Sequence, residues 1–227
     1  KEKKDIKSDL VSLGLDLFES LPSILSPESV SNPNSMIVNF GTKLFTIRLS
    51  RFVSELKNKF DKKQINKENL RKEYNQKNFL EILKSLEDDP TDDERFNAMK
   101  RIFFKAMSYD AVSSEDLLAF NLMQICKKMS GQELLVLKSA FDMSNGKFRK
   151  NVLLPDKSSN SRDFWFKAIA RHIGHDIPEL VEIHESKLIS LNLISGIDRS
   201  NQQAFIVTPS FRLVPLGLKL CQFMEED

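Results

Sequence analysis

Arg162–Ile173 (RDFWFKAIARHI) and Glu179–Leu191 (ELVEIHESKLISL) are two amphipathic segments joined by a short connection at Gly174–Pro178. Apolar residues recur in both at three-to-four spacing, which predicts two helices. The segments that follow are, in order, a polar loop at 195–203, two short apolar runs at Ala204–Thr208 and Phe211–Val214, and a closing helical segment at Pro215–Met224. This part of the chain therefore predicts two helices, a polar loop, two short strands and a closing helix, in that order.

That order resembles a winged-helix module, and the closing run from Phe205 to Leu220 is similar to the strand-then-helix ending of such modules. A winged helix usually reads the DNA major groove with polar and basic side chains of its second helix. The second helix here instead carries three glutamates at three-residue spacing: Glu179, Glu182 and Glu185. An acidic face gains no counterion release from a polyanion. The glutamates therefore predict a partner-docking face, with an ordinary solvated helix face as the alternative.

Composition favours a mainly α fold for the remainder. The 227 residues include only seven glycines, against seventeen phenylalanines, and 41% of them are hydrophobic and 29% charged. These fractions are ordinary for a globular protein, and low glycine favours helix. No apolar run approaches the roughly 18 to 20 residues of a membrane span. Two cysteines give no disulfide framework and fit a reducing compartment, so we expect a cytoplasmic protein.

Turn and charge patterns predict three regions. The acidic segment 88–94 separates an N-terminal helical region (1–87) from a helical bundle (91–150), and a second polar linker leads into the winged-helix-like α+β module (160–227). The helices predicted before that module are Asp5–Leu21, about 34–63, about 67–86, Asp93–Met107, Ser114–Met129 and Ser130–Met143. Thr91 is the expected N-cap after Pro90, and Ser130 with Glu133 forms a capping box. The expected core residues are Phe96, Ile102, Phe103, Leu118, Leu122, Ile125, Leu134, Leu137, Trp165, Ile169, Leu188, Leu191, Leu193, Ile206 and Leu216.

One stretch is strongly basic although the whole chain has a net charge of only +2. From Lys43 to Lys77 there are eleven Lys and Arg against four Asp and Glu, a local balance of +7. Nucleic-acid phosphates or an anionic membrane surface are the candidate partners of such a stretch, and a solvated face is the alternative. The candidate contacts are Lys57, Lys59, Lys62, Lys63, Lys67, Arg71 and Lys72, with Arg199 in the polar loop.

Chemical motifs point away from catalysis. The chain has no Gly-x-Ser-x-Gly and no phosphate-binding glycine-rich motif. The only local cluster is His172, His175 and Asp176, with Glu182 further on, but Gly174 and Pro178 interrupt the helix that would have to present a zinc site. We therefore predict no catalytic residues, no metal ligands and no cofactor.

Three segments carry a resemblance to a protein family. Asp93–Phe103, Leu118–Ile125 and Met129–Leu137 resemble small bacterial helical proteins grouped with abortive-infection (anti-phage) components of the Abi-alpha kind. The matching positions are packing and capping positions, so the resemblance implies a bacterial, cytoplasmic, defence-related protein and carries over no site residue.

The leading hypothesis from the sequence is a non-catalytic interaction or adaptor protein with a protein partner or self-association. The runner-up is a DNA-binding transcriptional regulator that uses the winged helix and a basic helix over 43–77. An enzyme using His172, His175 and Asp176 is the third hypothesis.

Overall fold

The computed structural model describes residues 36–89, 91–108, 113–145, 147, 161–174, 177–196 and 212–225, and they are mainly helical. The helices of these ranges are α1 (Met36–Asp61), α2 (Lys67–Leu70), α3 (Glu73–Asp88), α4 (Asp93–Met107), α5 (Ser113–Cys126), α6 (Gly131–Ser144), α7 (Ser161–Ile173), α8 (Pro178–Ser190) and α9 (Pro215–Met224). The described residues contain no strand longer than an isolated bridge. The predicted helix Asp5–Leu21, the run Ala204–Thr208 and the core residue Ile206 lie outside them.

Backbone contacts divide the chain into two compact units. Among the described residues, one unit comprises those up to Phe96 together with those of Ile102–Met123, and the other comprises Asn97–Arg101 together with those from Gln124 onward. Helices α4 and α5 contribute residues to both. The division therefore differs from the predicted three regions, because the acidic segment 88–94 lies inside the first unit.

The core of the first unit is aromatic and centres on Phe52 of α1, which is fully buried. Four phenylalanine rings have centroids between 5.9 and 6.1 Å from that of Phe52, and they belong to Phe79, Phe96, Phe103 and Phe104. Tilted and edge-on aromatic pairs at this spacing each add about 0.5 to 1.5 kcal/mol beyond area burial. The high phenylalanine content of the sequence is thus used to join α1, α3 and α4.

A polar interruption separates α2 from α3, where the sequence predicts one continuous helix. The side-chain amide of Asn75 donates to the carbonyl oxygen of Asn69 at 2.9 Å, and the amide of Asn69 donates to the carbonyl oxygen of Ser108 at 2.9 Å. Asparagine side chains that bond to nearby backbone compete with the helical ladder. The chain accordingly turns at Arg71 and Lys72 before α3 begins.

The acidic segment is a tight connection between α3 and α4. Asp92 caps α4, because its Oδ1 accepts from the backbone N–H of Arg95 at 2.9 Å. The prediction that Thr91 is the cap is wrong, since the Thr91 hydroxyl donates to Asp89 Oδ1 at 2.7 Å. The acids in this segment therefore hold a turn as well as complementing the dipole of α4.

In the second unit, α6 packs against α7, α8 and α9, and α7 packs against α8. The predicted capping box is present: Ser130 Oγ accepts from the Glu133 backbone N–H at 3.3 Å, and Glu133 Oε2 accepts from the Ser130 N–H at 2.8 Å. The box satisfies two of the donors that the first turn of α6 would leave without a helical partner.

An antiparallel bridge between Ile194 and Leu213 connects the end of α8 to the start of α9. The carbonyl of Leu193 accepts from the N–H of Val214 at 3.2 Å. A Cβ atom added to Gly217 would overlap the carbonyl oxygen of Leu193, so this glycine allows α9 to approach the bridge closely. Of the two strands predicted after the polar loop, the structure describes only the end of the second, where Leu213 forms this bridge.

The predicted core is largely confirmed within the described residues. Ten of the expected residues are buried: Phe96, Ile102, Phe103, Leu122, Leu134, Leu137, Trp165, Ile169, Leu188 and Leu193. Leu118, Ile125, Leu191 and Leu216 are half-buried. These four lie on helix faces that are only partly covered, a property that three-to-four periodicity does not determine.

Candidate interaction surface

Helix α8 begins where its sequence allows a helix to begin. Pro178 occupies the first turn, where its missing N–H costs nothing and its fixed φ suits a helix. The helix ends before Asn192, which has a positive φ of 56°, a conformation asparagine tolerates at helix ends. Its inward side presents Val181, Glu185 and Leu188, all buried. The inward side of α8 therefore contains one carboxylate between two aliphatic residues.

Exposed aliphatic residues lie at the start of α8 and on the outward side of its first two turns. Ile183 is 65% exposed, Ile177 just before the helix is 53% exposed, and Leu180 is 40% exposed. Glu179 and Lys187 are also exposed. We name Leu180, Ile183, Glu179 and Lys187 the α8 face. Contiguous exposed apolar patches mark interaction sites, whereas single exposed aliphatic residues are ordinary, so the α8 face is of interest because Leu180 and Ile183 are neighbours on one side of the helix.

A buried ion pair fixes the inward side of α8. Arg212 and Glu185 are each only 3% exposed, and the Arg212 guanidinium donates to the carboxylate of Glu185. The same guanidinium donates to the carbonyl oxygen of Ser195 from Nη2 at 2.9 Å and from Nε at 3.2 Å. Its central carbon lies 4.0 Å from the ring centroid of Trp165 on α7. One arginine thus ties α7, α8 and the Ile194–Leu213 bridge together.

The structure corrects the predicted face of three glutamates. Glu179 and Glu182 are exposed, but Glu185 is buried against Arg212 and is not part of a docking surface. The reason is geometric: each three-residue step rotates the position by about 60° around a helix, so the third glutamate lies about 120° from the first. A role for Glu179 and Glu182 in docking stays a prediction.

Sequence reasoning missed the importance of Arg212 and of the apolar side of α8. The available indication was a single arginine between Phe211 and Leu213, inside an otherwise apolar run. A charge at such a position has to find a buried partner. Glu185 belongs both to the series of glutamates spaced three residues apart and to the apolar side of α8 that faces the core.

The basic residues do not lie on one helix, so the predicted basic helix over 43–77 is wrong. The stretch is divided among α1, α2 and α3. Three of its lysines are exposed at the end of α1 or just after it: Lys57, Lys62 and Lys63. Lys59 lies over the Phe104 ring at 5.2 Å.

Other candidate cations are held by carboxylates. Arg71 pairs with Glu68 at 3.0 Å, and Lys72 pairs with the buried Asp116 at 2.8 Å. The side chain of Lys67 and the whole of Arg199 lie outside the described part of the chain. The structure therefore places only part of the predicted phosphate-contacting set at the surface.

A cavity of about 210 Å³ lies in the second unit beside α6 and α9. The residues that line it are Arg101, Lys138, Phe141, Asp142, Lys147, Cys221, Met224 and Glu225. Lys147 pairs with Glu225 at 2.7 Å, and Arg101 donates to the carbonyl oxygen of Met224 at 3.2 Å. The cavity is smaller than the roughly 300 to 1,000 Å³ of ordinary ligand sites, and these polar groups bond to one another.

The structure describes only one member of the predicted histidine cluster. His172 Nε2 lies 3.5 Å from Asp142 Oδ2, while His175 and Asp176 lie outside the described residues. Within the ranges that the structure describes, no three His, Cys, Asp or Glu side chains are placed to hold a metal ion. In the same ranges, no helix has both the length and the apolar composition needed to cross a membrane.

Comparisons with family models, curated proteins and solved structures find no match to this chain. The described residues themselves, and the α8 face in particular, therefore have to indicate the function.

Proposed function

We propose that the protein is a non-catalytic interaction protein that binds a partner protein through the α8 face. The observation that carries the proposal is the exposure of Leu180 and Ile183 in the first two turns of a helix whose opposite side is buried in the core. Burying an exposed isoleucine or leucine contributes about 1.5 to 3 kcal/mol, which makes such residues effective anchors when a partner covers them.

The order of elements in the second unit supports a winged-helix type of module. Helices α7 and α8, the Ile194–Leu213 bridge and α9 follow one another in the sequence that such modules use. In that arrangement α8 occupies the place of the DNA-reading helix. Its exposed side offers aliphatic residues with Glu179, Glu182 and a single Lys187, a composition that favours protein over nucleic acid.

The fixed inner side of α8 supports the same proposal. The ion pair of Arg212 with Glu185 and the stacking of Arg212 on Trp165 hold the helix in one position. A surface that is already rigid loses little conformational entropy when a partner binds. The resemblance of residues 93–143 to abortive-infection components makes bacterial phage defence the first setting to test.

The test is a comparative capture experiment from bacterial extracts made before and during phage infection. Wild type, Ile183→Glu and the matched control Ile47→Glu are immobilised, and retained proteins are quantified. Ile47 is an exposed isoleucine of α1, in the other unit. The proposal expects a protein retained by wild type and by Ile47→Glu and lost with Ile183→Glu. Equal retention of every protein by all three variants, added copies of this chain included, contradicts it.

A second candidate function is DNA binding by the lysines at the end of α1. The observation that favours it is the exposure of Lys57, Lys62 and Lys63 close together in the sequence. Titration with random-sequence duplex DNA at about 50 and 200 mM salt distinguishes the two functions, because binding through several phosphates falls steeply with salt. Tight, salt-dependent binding that the triple lysine-to-alanine variant loses would favour this second function.

A further inference from the structure

The two charges of the α8 face lie symmetrically about Ile183. Glu179 lies four residues before this isoleucine and Lys187 lies four residues after it, so all three share one ridge of the helix. The two charges are opposite in sign and each is about 6 Å along the axis from Ile183, at 1.5 Å per residue. A two-fold rotation that exchanges the ends of the helix therefore exchanges an acid with a base.

We propose that the partner of the α8 face is a second copy of this chain, bound with the two α8 helices antiparallel about a two-fold axis at Ile183. This inference rests on the proposed function, since it names the partner of the same surface. In this arrangement Ile183 meets Ile183 of the partner subunit, and Glu179 lies level with Lys187 of the partner subunit. The symmetry produces each ion pair twice, as an isologous interface requires.

Three physical features favour this pairing over a parallel one. A parallel pair would place Glu179 beside Glu179 of the partner subunit, where like charges repel. Antiparallel helices also align their dipoles favourably. Leu180 lies level with Ser186 of the partner subunit and about 1.5 Å along the axis from the level of the partner's Lys187, whose aliphatic stem can cover the exposed leucine.

The interface is small, which determines how it has to be measured. A helix of 13 residues is about 20 Å long, and one helix pair buries less than the roughly 1,200 Å² of a standard stable complex. We therefore expect reversible, concentration-dependent dimers, and sedimentation equilibrium should extend to about 1 mM protein.

The deciding experiment uses charge reversal on the full chain at about 50 mM salt, where surface charges are weakly screened. Glu179→Lys alone and Lys187→Glu alone each place like charges opposite one another, so the dimer dissociation constant should rise about tenfold in each variant. An equimolar mixture of the two variants restores both opposite-charge pairs and should associate as tightly as wild type. The double variant should do the same by itself.

Ile183→Glu should abolish dimers at all concentrations, and Ile47→Glu should leave them unchanged. Circular dichroism of each variant confirms that the fold is retained, since every substituted residue is exposed. Any of three results overturns the inference: a monomeric wild type, dimers that survive Ile183→Glu, or charge variants that neither the mixture nor the double variant rescues. A monomeric wild type that still captures a protein through Ile183 would leave the proposed function standing, whereas absence of both dimer and capture would end it.

Discussion

Replacing Arg212 with methionine should be among the most destabilising single changes in the second unit. The substitution removes the ion pair with the buried Glu185, both hydrogen bonds to Ser195 and the contact with the Trp165 ring. Removing one member of a buried ion pair costs about 3 to 5 kcal/mol, because the other charge stays buried and loses its ion-pair partner. We expect a loss in this range in the free energy of unfolding.

The assay is urea unfolding followed by tryptophan fluorescence. Trp165 is the single tryptophan of the chain and is fully buried beside Arg212, so its emission reports on the region that is changed. The midpoint should fall without a large change in slope, which indicates lost stability and an unaltered unfolded state.

The matched control is the double variant Arg212→Met with Glu185→Leu. Replacing a buried ion pair by apolar residues of similar size is often close to neutral, so the double variant should recover about half of the loss or more. Two results would refute the reasoning: a cost below about 1 kcal/mol for Arg212→Met, or additive losses in the double variant. Either would mean that Glu185 is solvated or has other partners that suffice.

Three further predictions concern single groups. Gly217→Ala should destabilise the protein by about 2 kcal/mol or more, measured by thermal unfolding, because the added methyl group overlaps the carbonyl oxygen of Leu193. The hydrogen bond from Thr91 lowers the pKa of Asp89 below its ordinary 3.8, so this carboxylate stabilises the fold above that pH and the benefit is lost as pH falls through the folded pKa. Asp89→Asn should therefore cost about 0.5 kcal/mol at pH 7 after solvent screening, and in acid unfolding the difference from wild type should shrink as pH falls below 3.8 and through the lowered folded pKa. Burial raises the pKa of the Cys221 thiol, so at pH 8 the native protein should react with a thiol reagent about 100-fold more slowly at this position than the unfolded chain, as followed by mass spectrometry.

The buried ion pair and the α8 face are two consequences of the same helical geometry. Thirteen residues place Glu185 inward and Ile183 outward, although the two are only two positions apart. A charge in the core and an isoleucine at the surface run against the usual partition of side chains. Arg212 of the same chain pairs with the buried charge. In our proposal, a partner covers the exposed isoleucine.

The helices themselves were predictable, because each is determined by residues close to one another in sequence. The bounds of α4 and α9 are those predicted, and the Ser130–Glu133 capping box is present as predicted. Periodic apolar residues, a cap and a proline in the first turn act within a few residues of each other. The break between α2 and α3 was missed because it depends on Asn69 bonding to Ser108, far along the chain.

In the candidate site, too, some features follow from the local sequence and others only from the tertiary structure. The sequence by itself determined that α8 is a helix with acidic residues at three-residue spacing, since this requires only local order. Only the tertiary structure decided that Glu185 is inward, that Arg212 is its partner and that Ile183 is left exposed. Which side of an amphipathic helix is buried depends on how neighbouring helices pack against it, and partners 27 residues apart are chosen by the fold as a whole.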